Sequence, residues 1–183
     1  MTVQQAILER RSIRNFTPEP LNKAQLDTLA AAALATPSGM DRQPWQFHFV
    51  LSPAIIQQIS DATLNAFQTQ GNQAMVERIT SRHSSLFYGA PLVVIISLPL
   101  GSPQALDAGI AAQTLVLAAQ GLGLGSCIIG LAGAGFSGTL GQNCREAVGM
   151  TSDREFAISV AIGHPAMTKD AHETHPEKII WVN

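Results

Sequence analysis

The stretch Ala105 to Gly130, ALDAGIAAQTLVLAAQGLGLGSCIIG, constrains the fold more than any other part of the chain. Between Ala105 and Gly125 it holds no Lys, Arg or Glu and a single acid, Asp107, while Ala, Leu, Ile and Val fall on every side of a helical wheel. A helix that is apolar all round belongs in a protein interior. Gln113, Thr114 and Gln120 interrupt the run, its uninterrupted apolar pieces fall far below the roughly 18 residues that a membrane span needs, and no basic flank fixes an orientation. Ala108, Ala111, Ala112, Ala118 and Ala119, with Gly109, let another backbone approach closely, which predicts tight packing against a neighbouring helix or a second copy of the chain. Gly121, Gly123 and Gly125 then break the helix, and SCIIG follows as a short apolar segment whose amides are free to face something other than a sheet neighbour.

The 183 residues, 46% of them hydrophobic, suit one domain with a sizeable core, with residues 165–183 as a C-terminal extension. A formal net charge of -2 gives no global attraction to nucleic acid or to a membrane surface. Cys127 and Cys144 lie in or beside apolar stretches without a CxxC partner, so reduced thiols in a cytoplasmic protein are the expectation. The opening MTVQQAILERRSIR carries charge where a signal peptide needs an apolar run, so no export is expected.

A short first helix presents Val3, Ala6 and Ile7, and Arg10, Arg11, Ser12 and Arg14 follow at once. Guanidinium forks beside a hydroxyl suit bidentate contact with phosphate or carboxylate, although positive charge at a helix C-terminus is favoured in any case. Pro18 and Pro20 enforce an extended link, and Asn22 with Gln25 makes a capping box opening a helix through Leu26, Leu29, Ala33 and Leu34. Thr36, Pro37, Ser38 and Gly39 form a turn cluster, and QFHFVLS alternates as a strand in which His48 is an ordinary member rather than a ligand. Two polar-rich helices are expected over residues 53–86, the first opened by Pro53. APLVVIISL, rich in β-branched residues, reads as a central strand buried on both faces, and EFAISVAIGHP as the last strand. Ile179, Ile180 and Trp181 make an apolar plug that must pack on the same subunit's core or across onto a partner.

Gly133, Gly135 and Gly138 spell G-x-G-x-x-G, with Asp153 at about the dinucleotide-binding distance. The preceding strand is short and fed by a broken helix, so a loop leading to a helix around Arg145 is the plainer reading. His172 and His175 form HxxH without a third ligand at an obvious spacing, and no metal site is expected.

Taken in order, RRSIRNF, TPSGMDRQPWQF, APLVVII, and DAGIAAQTLVLAAQGLGLGSCIIG with its following AIGHP resemble the flavin-dependent nitroreductase family through almost the whole chain, least so over residues 55–85. The resemblance implies an α+β fold, a mainly antiparallel central sheet surrounded by helices, forming a homodimer built on the long apolar helix with FMN at two interface sites. It implies that Arg10, Arg11 and Ser12 reach the FMN phosphate and ribityl chain and that Arg14 supports the N1 and O2 edge of the ring electrostatically, with no catalytic residue beyond the cofactor's own chemistry. Pro37, Ser38, Gly39 and Asp41 would approach the flavin from the other subunit. Ile128, Ile129, Gly130 and Leu131 would lie along the ring, the last two offering amides, and His83 would approach the pyrimidine edge.

Two departures stand out. Asp41 replaces a common Asn, exchanging an amide donor for an acceptor, and Thr174 lies near the position where many members carry a phosphate-clamping Arg, leaving Lys169 or His172 as substitutes. The expected activity is transfer of reducing equivalents from NAD(P)H through FMN to a small-molecule acceptor: a nitroaromatic, a quinone or a similar conjugated compound. The alternatives are a non-catalytic FMN-binding or storage protein, and an NAD(P)-binding module built on the GAGFSG loop.

Overall fold

The computed structural model describes residues 1–81 and 85–182. Helix α1 spans Val3–Glu9, α2 Lys23–Leu34, α3 Pro53–Thr69, α4 Gln73–Thr80, α5 Ala105–Gly121 and α6 Gly138–Ala147; strands β1, β2, β3 and β4 span Gln46–Val50, Leu92–Pro99, Gly125–Ile129 and Arg154–Gly163. Local chemistry explains the starts. The Asn22 side chain accepts from the Gln25 amide while the Gln25 side chain accepts from the Asn22 amide, the predicted reciprocal cap, and Ser52 caps α3 with Pro53 in its first turn. The two predicted polar helices are α3 and α4.

The strands form one antiparallel sheet in the order β1-β2-β4-β3. Strand β2 is buried from Leu92 to Leu98, and the two-residue period of a strand sorts its side chains between two cores. Val93 and Ile95 join Ile59, Phe87 and Phe136 on the α3 side, whereas Leu92, Val94 and Ile96 join Leu29, Ala111 and Leu115 under α2 and α5. Burial on both faces is why this segment reads as a continuous apolar run.

Helix α5 uses its alanines inside the subunit. Ala108, Ala111, Ala112 and Ala119 are buried with Leu115 and Val116 against α2 and the sheet, whereas Leu106, Gly109 and Gln113 face outward. The alanine-rich surface offered to a second copy is therefore narrower than the sequence implied.

His48 is buried and fully engaged. A carbonyl can only accept, so Nδ1 carries the proton it gives to Val148 O at 2.8 Å, and Nε2 is left to accept from the Ser97 hydroxyl at 3.0 Å. Ser97 Oγ in turn accepts from Arg154 Nε at 3.0 Å, and Arg154 Nη2 donates to Pro44 O at 2.6 Å. Burial lowers the His48 pKa, the Arg154 charge lowers it further, and the Val148 hydrogen bond opposes both.

The GAGFSG segment does not form a dinucleotide-binding unit. Strand β3 pairs antiparallel with β4, whereas that unit requires parallel strands, and residues 131–136 form a 3-10 turn packed on α3. Gly135 is a glycine for steric reasons: an added Cβ would strike Thr63 Oγ1 and come within 3.0 Å of Ile59 O. No helix among the described residues is long and apolar enough to cross a membrane.

Candidate functional site

The arginine segment is held against the sheet by its own backbone. Ser12 makes a parallel bridge with Ser126 of β3, and the Ile13 amide donates to Ser126 O at 2.9 Å. Ile13 is buried against Gly125, where a Cβ would come within 3.1 Å of its side chain, so the glycine admits the crossing. The chain returning from β4 ties in beside it. Thr17 N–H donates to His164 O at 2.9 Å, Ala166 N–H to Asn15 O at 3.0 Å, and Arg14 N–H contacts Met167 Sδ at 3.4 Å.

These crossings bring three cations around one thiol. Burial raises the Cys127 pKa, while the charges of Arg14, Lys169 and Arg10, and a hydrogen bond from the Arg14 side chain, oppose the rise. A buried thiol held neutral in this way is a packing group rather than a nucleophile. Arg11 is partly spent: its Nη1 donates to Leu8 O at 2.7 Å and Arg10 O at 2.9 Å, closing the C-terminus of α1, and its buried Nε has no partner. Among the described residues no carboxylate pairs with Arg10, Arg11 or Arg14.

A cavity of about 160 Å³ opens beside this cluster, lined by Arg14, Cys127, Ile128, Ile129, Gly130 and Leu131 on one side and by Arg78, Ile79, Ser85, Leu86 and Tyr88 on the other. Ile128 is 40% exposed in a strand whose other residues are buried, so this side chain is turned outward. At Gly130 the chain enters the 3-10 turn, whose first amides have no acceptor within the turn and are available to a ligand. Tyr88 holds φ at 59°, an uncommon conformation for a bulky residue and one that accumulates at binding sites.

Pro37, Ser38, Gly39 and Asp41 lie elsewhere and do not line this cavity. Their loop carries left-handed backbone at Met40, Asp41 and Gln43, braced by the Gln43 amide on Ser38 Oγ at 2.9 Å and by Gln43 Nε2 on Asp41 Oδ1 at 2.9 Å. It is fastened to the first turn of α5 through Asp107, whereas the arginine segment crosses β3 beyond the other end of that helix. At 1.5 Å per residue α5 is about 25 Å long. The resemblance assigns these four residues to the flavin of the other subunit, and within one chain they lie apart from the arginine segment.

His83 lies outside the described residues. Lys169 joins the arginine cluster, whereas His172, Thr174 and His175 are exposed along the tail. No group of three metal-ligating side chains occurs among the described residues. Arg78, Ser85 and Tyr88 were not anticipated, because the polar hairpin around α4 has no motif that points to a pocket.

An antiparallel four-stranded sheet wrapped by helices is the architecture this chain shares with nitroreductases of solved structure, and its cavity, with arginines on opposite walls, lies beside the edge strand β3. The chain belongs to the nitroreductase family, which it matches over residues 7–164. A nitroreductase with bound FMN from Desulfitobacterium hafniense has 32% sequence identity with coverage of 100% of both chains and a TM-score of 0.94. An FMN-dependent nitroreductase from Clostridium difficile is 28% identical, covers 99% of both chains and has a TM-score of 0.76. Among curated relatives, the NADPH-flavin oxidoreductase of Vibrio harveyi is 28% identical over 96% of this chain and 71% of its own length. A Methanothermobacter thermautotrophicus relative is 28% identical over 72% of this chain, but the match spans only 62% of that protein, less than two thirds of its length.

Proposed function

We propose that this chain is an FMN-dependent oxidoreductase that takes reducing equivalents from NAD(P)H and delivers them to nitroaromatic, quinone or similar conjugated acceptors, working as a cytoplasmic homodimer. One observation carries the reading. Arg14 lines the cavity, Arg10 and Lys169 act with it on the Cys127 thiol of the same wall, none of the three pairs with a carboxylate among the described residues, and the buried Nε of Arg11 has no partner. Buried donors without acceptors are costly, and a phosphate supplies both the acceptors and the negative charge. The residues present therefore fit FMN.

Arg10, Arg11, Ser12 and Lys169 would hold the phosphate and ribityl chain. Ile128, Ile129, Gly130 and Leu131 would lie along the ring, with the free amides after β3 facing its polar edge. FMN, when bound, supplies hydride acceptance and donation, so no protein nucleophile is required. Arg14 contributes a fixed positive charge beside the cavity, which favours negative charge developing there without moving a proton.

The distance between the two residue groups supports the homodimer. Pro37, Ser38, Gly39 and Asp41 belong to the opposite end of α5 and would reach a flavin only in a second copy packed along that helix. The tail agrees with this. Ile179, Ile180, Trp181 and Val182 are 60%, 84%, 84% and 91% exposed and find no place in the chain's own core, so the plug would pack across the partner. Asp41 adds negative charge to a site for an anion, and D41N is expected to lower the Kd for FMN.

The experiment is anaerobic titration. Protein reconstituted with FMN should bleach its flavin absorbance on addition of NADPH or NADH and recover it on addition of a nitroaromatic or quinone. Bound flavin that neither nicotinamide reduces would instead support the storage reading.

A further inference from the structure

Arg78 stands in the last turn of α4 and lines the same cavity as Arg14, from the opposite wall. Its neighbour Ile79 is buried in the core, which fixes this turn of the helix over the cavity. Glu77 does not neutralise Arg78: adjacent residues on a helix do not face each other, and the Glu77 carboxylate accepts from Gln73 Nε2 at 3.4 Å. Among the described residues no Asp or Glu lines the cavity and Arg78 has no ion pair.

The charges give this placement a consequence. Arg10, Arg11, Arg14, Arg78 and Lys169 are five of the chain's 11 Lys and Arg residues, in a protein whose net charge is -2. A phosphate brings about -1.5 to -2 at neutral pH, which Arg10, Arg11 and Lys169 answer, and Arg14 answers charge on the ring. Arg78 is left over. It approaches from α4 rather than from the sheet, beside Ser85 and the strained Tyr88.

We infer that Arg78 is a specificity-determining residue that binds an anionic group on the substrate entering this cavity. The inference rests on the flavin reading for the identity of the site and adds the class of substrate it prefers: one carrying a carboxylate or a phosphate. That group is either a substituent of the electron acceptor or the 2′-phosphate of NADPH. A guanidinium contributes to either through charge-assisted hydrogen bonds.

The test compares wild type, Arg78→Ala and Arg78→Lys. Each FMN-loaded protein is assayed with 4-nitrobenzoate and with neutral 4-nitrobenzyl alcohol, using NADPH and NADH in turn. For an anionic acceptor, R78A should raise KM for 4-nitrobenzoate by about tenfold, leave KM for the neutral alcohol within about twofold, and be partly rescued by R78K. If the anion is instead the 2′-phosphate, the tenfold loss appears for NADPH and spares NADH. FMN content should be unchanged in either case. Equal effects on charged and neutral substrates, no effect on any, or loss of FMN from R78A would overturn the inference. Equilibrium binding of 4-nitrobenzoate and of NADPH to the FMN-loaded proteins without turnover separates this outcome from failure of the flavin reading. Wild type that binds either anion and loses it in R78A, yet is never reduced, keeps the inference and rejects the oxidoreductase; wild type that binds neither rejects the inference.

Discussion

The main-chain N–H of Gly39 donates to Oδ1 of Asp107 at 3.2 Å, joining positions 68 residues apart and fastening a left-handed loop to the first turn of α5. Asp107 is only 7% exposed, and this contact gives a lone acid in an apolar helix a function beyond complementing the helix dipole. D107A is expected to cost about 0.5–1.5 kcal/mol, the net range for a hydrogen bond whose donor, the exposed Gly39, can turn to water instead, and D107N, which keeps an acceptor oxygen, clearly less. Urea unfolding of the two variants checks the order. Equal losses would mean that the Gly39 contact contributes nothing specific.

His48 predicts a pH dependence with a definite sign. Its pKa in the fold lies below the ordinary 6.5, so the unfolded chain binds more protons as the pH falls and stability drops from about pH 6.5 downward. Above that value the contribution is fully present. Protonation at Nε2 would also set a donor against the Ser97 hydroxyl, which Arg154 already approaches from the other side. The difference in melting temperature between wild type and H48Q should therefore shrink between pH 7.5 and pH 5.5. A constant difference would contradict the assignment.

Gly135 tests the reading of GAGFSG directly. A valine there would meet the α3 backbone at Ile59 O and the side chain of Thr63, so G135V should lose about 1–3 kcal/mol as an overpacked site. A nicotinamide-binding loop would give another outcome: unchanged thermal stability with selective loss of NAD(P)H binding.

The sequence shows most of the fold because most elements carry their own local signals. The Asn22–Gln25 cap and the β-branched run of β2 follow from short-range chemistry and hold in three dimensions; β1 forms as a strand, but its polar His48 is buried while Phe47 and Phe49 are only half-buried, because both faces of β1 are covered. The arginine segment and the β3 end of the cavity were legible for a related reason, since guanidinium forks and a glycine-broken strand exit are uncommon combinations. Three features were not legible. Met40, Asp41 and Gln43 take left-handed backbone without being glycines, held by contacts that no local rule anticipates. The alanines of α5 look alike in sequence whether they face α2 or solvent. Arg78 and Tyr88 reach the cavity only because the hairpin around α4 folds over it, a tertiary fact with no periodic signature.

The exposed plug gives a prediction about assembly. Ile180 and Trp181 are both 84% exposed, and large apolar side chains of this kind dominate interfaces at about 2 kcal/mol or more each. The double variant I180S/W181A should raise the dimer dissociation constant at least tenfold in sedimentation equilibrium while leaving the unfolding of the isolated subunit nearly unchanged. A variant dimer as tight as wild type would remove the tail from the interface.

The central claim is that two chains together hold FMN, and size-exclusion chromatography with light scattering and flavin absorbance tests it most directly. After incubation with FMN, the protein should elute at twice its 19.4 kDa chain mass with one flavin per chain. Elution as a monomer, or as a dimer that carries no flavin, would contradict it.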